Sequence, residues 1–135
     1  MTRTLMILAA LWAAAPAAAE TTGNDPSPYR RGEAFGTPAT CDSLDYWIDN
    51  APLTNDRVTM TVEGPITASQ WDGTLAYLVM CDHSGVQVMC VTYEEERASP
   101  NPVIFAGGFR RVGKEQIMLD PCLVYPVDGP DPILR

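Results

Sequence analysis

Hydrophobic and polar positions change period along this chain. In Arg57–Thr67, RVTMTVEGPIT, Val58, Met60 and Val62 alternate with Thr59, Thr61 and Glu63. That period of two predicts a half-buried strand, and Gly64-Pro65 predicts a bulge or bend near its end. Ala68–Gly73, ASQWDG, reads as a turn-forming connection. Thr74–Tyr93, TLAYLVMCDHSGVQVMCVTY, holds two short runs of Leu, Val, Met, Tyr and Cys around the polar break Asp82–Gly85. The pair predicts a β-hairpin. Glu94–Pro102 is a polar loop, Val103–Phe109 a strand with a Gly107-Gly108 kink, Arg110–Lys114 a turn, and Glu115–Tyr125 a final strand.

Only Asp42–Asn50, DSLDYWIDN, has a helical period. Leu44, Trp47 and Ile48 fall at i, i+3 and i+4, a narrow apolar stripe. Asp42 can cap its start, and Trp47 is expected to pack on the core. Glu20–Thr37 carries Gly, Pro and the Arg30-Arg31 pair without apolar periodicity, so 20–38 is expected to be a flexible leader. The domain then runs 39–125, followed by a Pro-rich tail over 126–135.

The first residues belong to export. Arg3, the apolar run Leu5–Ala15 and the small residues Ala17–Ala19 before Glu20 have the layout of a signal peptide over 1–19. The run is interrupted too early for a membrane span of about 20 apolar residues, so no span is expected in the mature chain. Cleavage leaves 135 − 19 = 116 residues, enough for one core. The chain has 9 basic and 17 acidic residues, and losing Arg3 leaves 8 − 17 = −9. That field repels phosphate backbones, so no nucleic acid is expected as a partner. The expected location is the periplasm or the exterior.

Four cysteines in an exported domain read as two disulfides. A two-residue turn at Gly85-Val86 places Cys81 opposite Cys90 and leaves Cys41 with Cys122. A turn at His83-Ser84 would instead oppose Cys81 to Val86.

The bent strand VTMTVEGPI, the Gly73–Tyr93 hairpin, FAGGF and IMLDPCLVY together resemble the OB-fold. The chain is similar to the small exported bacterial OB-fold domains of the tRNA-anti-like type over about Arg57–Tyr125. It departs from them where the polar loop Glu94–Pro102 replaces the helix that often joins the third and fourth strands. The resemblance implies a mainly β fold, a five-stranded Greek-key barrel with one short N-terminal helix. An SH3-like or other small β-barrel is the alternative.

Chemistry is sparse. His83 is the sole histidine, no serine sits in a G-x-S-x-G setting, and no carboxylate pair stands out, so neither enzymatic activity nor a cofactor is expected. Cys81, His83 and Cys90 beside Met80 and Met89 have soft-metal character. Disulfide formation removes the thiolates, however, and alternation turns the methionines to the other face, so no metal is expected. Metal binding through His83 remains the third reading. Glu94–Glu96 reads as a solvated acidic loop. By analogy with OB-folds, ligands would meet the loops joining strands 1–2 and 4–5. These carry Trp71 and Arg110, Arg111 and Lys114, an aromatic and three cations suited to a small anionic or sugar-like ligand. The expected function is a non-catalytic binding module. The alternative is a structural or protein-interaction subunit of an envelope complex.

Overall fold

The computed structural model describes residues 25–127. The expected signal peptide 1–19 and the tail beyond residue 127 lie outside them. The fold is mainly β with a single short helix. Its elements are β1 (Tyr29–Arg31), β2 (Ala39–Thr40), a 3-10 turn (Cys41–Ser43), α1 (Leu44–Asp49), β3 (Val58–Pro65), β4 (Ala68–Trp71), β5 (Ala76–Met80), β6 (Gln87–Thr92), β7 (Pro102–Arg111) and β8 (Gln116–Pro126).

One sheet contains eight strands in the path β1-β3-β7-β8-β6-β5-β4, with β2 beside β3. Five strands were expected, and three segments account for the difference. Ala68–Trp71 is a strand and not a turn, because it pairs antiparallel with β5 from Ala68↔Val79 to Trp71↔Ala76. The other two precede the helix: β1, within the leader, runs antiparallel to β3, and β2, just after the leader, runs parallel to it. The path ends at β1 and β4 without pairing between them.

Residues 25–38, expected to be flexible, are packed against β3. Pro28 and Tyr29 are buried, Gly32 N–H donates to Arg57 O at 3.1 Å, and the Thr59 hydroxyl donates to Ala34 O. Main-chain pairing needs no apolar period, which is why the sequence pattern is silent there.

Strand alternation builds the core. Met60 and Val62 from β3, Leu78 and Met80 from β5, Val88 and Cys90 from β6, Phe105 from β7 and Ile117 and Leu119 from β8 are fully buried. Leu44 and Ile48 of α1 close the same cluster, with Trp47 packed against it. Asp42 does not cap the helix; it lies in the preceding turn, where Ser43 Oγ accepts Thr40 N–H at 3.0 Å.

The disulfides are Cys41–Cys81 and Cys90–Cys122, so both expected pairings are corrected. The hairpin register sets Leu78, not Cys81, opposite Cys90. The connection runs from Cys81 to Val86, where Cys81 adopts φ +65° and leaves the strand. Alternation therefore ends at Met80, and Met80 and Cys81 are both buried, whereas Met89 keeps to the face opposite Cys90. On chain-entropy grounds each disulfide contributes about 4 kcal/mol. Digestion of the unreduced protein is expected to release Cys41 linked to Cys81 and Cys90 linked to Cys122. Recovery of a Cys81–Cys90 peptide would refute this arrangement.

β7 and β8 approach most closely at Gly107-Gly108. A Cβ on Gly107 would lie 2.3 Å from Pro121 O, and one on Gly108 would lie 2.6 Å from Asp120 O. The register slips here between Gly107 and Phe109, opposite a cis Asp120–Pro121 bond. Gly107→Ala pushes backbone against backbone, and the expected loss is about 1–3 kcal/mol. Urea denaturation measures it, and an unchanged midpoint would contradict the packing.

Candidate functional site: a cationic depression at one end of the sheet

The strand ends around this glycine contact carry three of the chain's nine Lys and Arg residues. β3 begins just after Arg57, β7 ends with Arg110 and Arg111, and the register places Thr59 beside Gly108 and Arg111 beside Ile117. A depression of about 550 Å³ opens there, walled by Pro52, Phe109 and Pro121 and by Arg57, Arg110 and Arg111. Asp56 and Asp120 also line it, but Asp56 is engaged by Arg31 at 3.7 Å. Arg111 folds over its own turn, donating from Nε to Gly113 O at 3.3 Å and from a terminal nitrogen to Lys114 O at 3.1 Å. Among the described residues, Arg57 and Arg110 have no ion-pair partner. On an acidic protein these two guanidinium groups are donors without an acceptor, and a planar fork of donors suits carboxylate or phosphate.

A second depression of about 340 Å³ adjoins the first, sharing Arg57, Gly108 and Pro121. Phe35, Ala106 and Leu123 make its walls largely apolar, and Thr59 and Glu33 also line it. Phe35 reaches it because the leader crosses the outer face of β3, where its ring meets that of Tyr125 with centroids 6.1 Å apart. Leu123 is half-exposed.

The four expected ligand-binding residues do not form one site. Arg110 and Arg111 line the depression above, and Arg111 and Lys114 also border a shallower one beside Asp45, Asp49 and Glu115. Trp71 is separate from them. It sits on β4 opposite Ala76, which pairs with Thr92. Arg111 instead pairs with Ile117, which neighbours Val88. Four residues of β6 separate those levels, about 13 Å along a strand, and three strands stand between β4 and β7. The Ser69 hydroxyl donates to Glu96 O, so the acidic loop lies on the Trp71 side.

His83 is exposed in the hairpin connection, 3.7 Å from the Asp82 carboxylate. All four cysteines are in disulfides. Among the described residues no three His, Cys, Asp or Glu side chains are grouped to hold a metal. No helix there is long and apolar enough to cross a membrane. The sequence reading missed Arg57, Phe109 and the apolar wall. Arg57 joins Arg110 only through the β3–β7 register, which alternation within either strand does not specify. The chain matches no protein-family model, no curated protein and no solved structure.

An aromatic cluster supports the cationic wall from within. Tyr29 lies edge-on to Phe109 and Trp47, with ring centroids 5.3 and 6.5 Å away, and its hydroxyl donates to Trp47 O at 2.7 Å. Burial holds the phenol well above its ordinary value near 10, with Arg111 pulling weakly the other way. The unfolded chain therefore releases this proton first as pH rises. The stability Tyr29 provides is complete below about pH 10 and declines above it. Tyr29→Phe is expected to be less stable at neutral pH by about 1 kcal/mol and to show a flatter alkaline decline. Denaturant midpoints between pH 8 and 11 measure both, and parallel curves for the two proteins would contradict this assignment.

Proposed function

We propose that this protein is an exported, non-catalytic binding module of the bacterial periplasm that takes a small anionic or sugar-like ligand at the cationic depression. The observation that carries the reading is the pair Arg57 and Arg110, which line one depression and have no acidic partner among the described residues. Phe109 takes the place expected of Trp71 as the aromatic neighbour. The two disulfides fit an oxidising, extracytoplasmic environment, and the signal-peptide layout of residues 1–19 supports export.

The reading extends to the fold, as an OB-like barrel with β3 and β4 as two arms of one bent strand. Only Ile66-Thr67 separates the two arms. Thr67 N–H donates to Val79 O at 2.8 Å, which carries the pairing with β5 back toward the bend. β3 pairs with β7 while β4 pairs with β5, and β6 runs parallel to β8. With the two arms counted as one strand, five strands surround the core and β1 and β2 are additions to it.

Titration of the ¹⁵N-labelled protein with inorganic phosphate or citrate tests the ligand class. Amide shifts are expected at 56–58 and 108–111. Arg57→Ala or Arg110→Ala is expected to weaken binding about 10- to 100-fold, the range for one charged hydrogen bond. Added salt should weaken it further. Undiminished binding by the double variant would remove the depression from the function.

A further inference from the structure

We infer that the two depressions form one amphipathic trough for an acidic amphiphile, with the acidic head at Arg57 and Arg110 and a single apolar chain lying between Phe35 and Leu123. The inference rests on the anion-binding reading and adds a ligand class to it. Three observations carry it. The depressions adjoin, with Arg57, Gly108 and Pro121 lining both. Their chemistry differs, with three guanidinium-bearing residues lining one and Phe35, Ala106 and Leu123 lining the other beside Glu33, Thr59 and the shared Arg57. Gly108 is one of the shared residues, so no side chain from that position projects between the depressions, and the close approach to Asp120 O keeps a larger residue out.

The trough also sets a length. From Arg110 back to Ala106 is four strand residues, about 13 Å, the span of an alkyl chain of roughly ten carbons. The walls bear on specificity too. Phe35 and Leu123 are both exposed, and apolar side chains left open beside unpaired cations suit a ligand with an apolar part. A small hydrophilic anion would leave that wall unused. The acidic groups near the path are Glu33 in the apolar arm, Asp56 and Asp120 in the cationic arm, and Glu94 and Glu96, which line a neighbouring depression with Leu123. Asp56 and Asp120 lie beside the head of the ligand, where they favour a singly charged acid over a multiply charged one.

Calorimetric titration of the full protein with acetate, decanoate and decyltrimethylammonium tests the trough. Decanoate is expected to bind at least about 30-fold more tightly than acetate, since a fully buried methylene is worth about fourfold. Decyltrimethylammonium, of the same length and opposite sign, should bind far more weakly than decanoate. Leu123→Ser, at an exposed position that leaves the core intact, should bring the decanoate-to-acetate ratio down several-fold while leaving acetate affinity unchanged. Arg110→Ala should weaken both anions. Equal binding of acetate and decanoate, or a ratio unmoved by Leu123→Ser, overturns the trough but leaves anion binding standing. Binding of neither anion overturns the trough, and failure of phosphate and citrate as well overturns the anion-binding reading with it. Competition for bound decanoate by phosphatidylglycerol vesicles assigns the acidic head and chain to a bilayer lipid. Decanoate binding without such competition assigns them to a free fatty acid, and either result supports the trough.

Discussion

The approach of β7 to β8 at Gly107 and Gly108 is the constraint on which the rest of the molecule depends. Backbone meets backbone there without room for a Cβ, and the register shifts by one step at the same place. Inward alternation resumes on both sides of the slip. Phe105 stays in the core on one side while Ile117 and Leu119 stay in it on the other. Gly108, within the slip, also lines the depression shared by Arg57, Arg110 and Arg111. Packing and the charged depression thus come from the same absence of side chains.

The aromatic cluster behind the depression joins the leader to that strand end. Tyr29 belongs to β1, Trp47 to α1 and Phe109 to β7, and their rings meet edge to face, the geometry aromatic quadrupoles favour. The leader is therefore part of the site's wall, through Phe35 outside and Tyr29 within. Charge is mixed at that end. Arg31, Arg57, Arg110, Arg111 and Lys114 lie among Asp45, Asp49, Asp56, Glu115 and Asp120, while Glu94–Glu96 form a loop beside β4 on the Trp71 side.

Much of the fold was legible in the sequence. β3 and the helix at Leu44 announce themselves by period, and β5, β6, β7 and β8 by short runs of β-forming residues between turn signals. Three kinds of information did not. Ala68–Trp71 has no apolar alternation and all four residues are exposed, so nothing in its pattern separates strand from turn. β1 and β2 are held by main-chain bonds to β3, which any sequence can make. The disulfide pairing turned on a hairpin register that the connection, not the strands, decides, and Cys81 with a positive φ broke the assumed two-residue turn. The candidate site followed the same division. Arg110 and Arg111 were visible as a basic cluster, but their partner Arg57 is a neighbour only through pairing across strands. Trp71 was grouped with them by an analogy of loops that this sheet does not keep.

The cysteine pairing has a consequence for how the protein comes into being. A chain synthesised N-terminus first presents Cys41, then Cys81, then Cys90, then Cys122. The native partners are the first with the second and the third with the fourth. Each cysteine can thus be joined to its neighbour in order of appearance, and the first bridge can close before the last strand has been made. The pairing first expected, one bridge nested inside the other, would have kept Cys41 waiting for the end of the chain. In this connectivity, the order of emergence and the order of the finished structure agree.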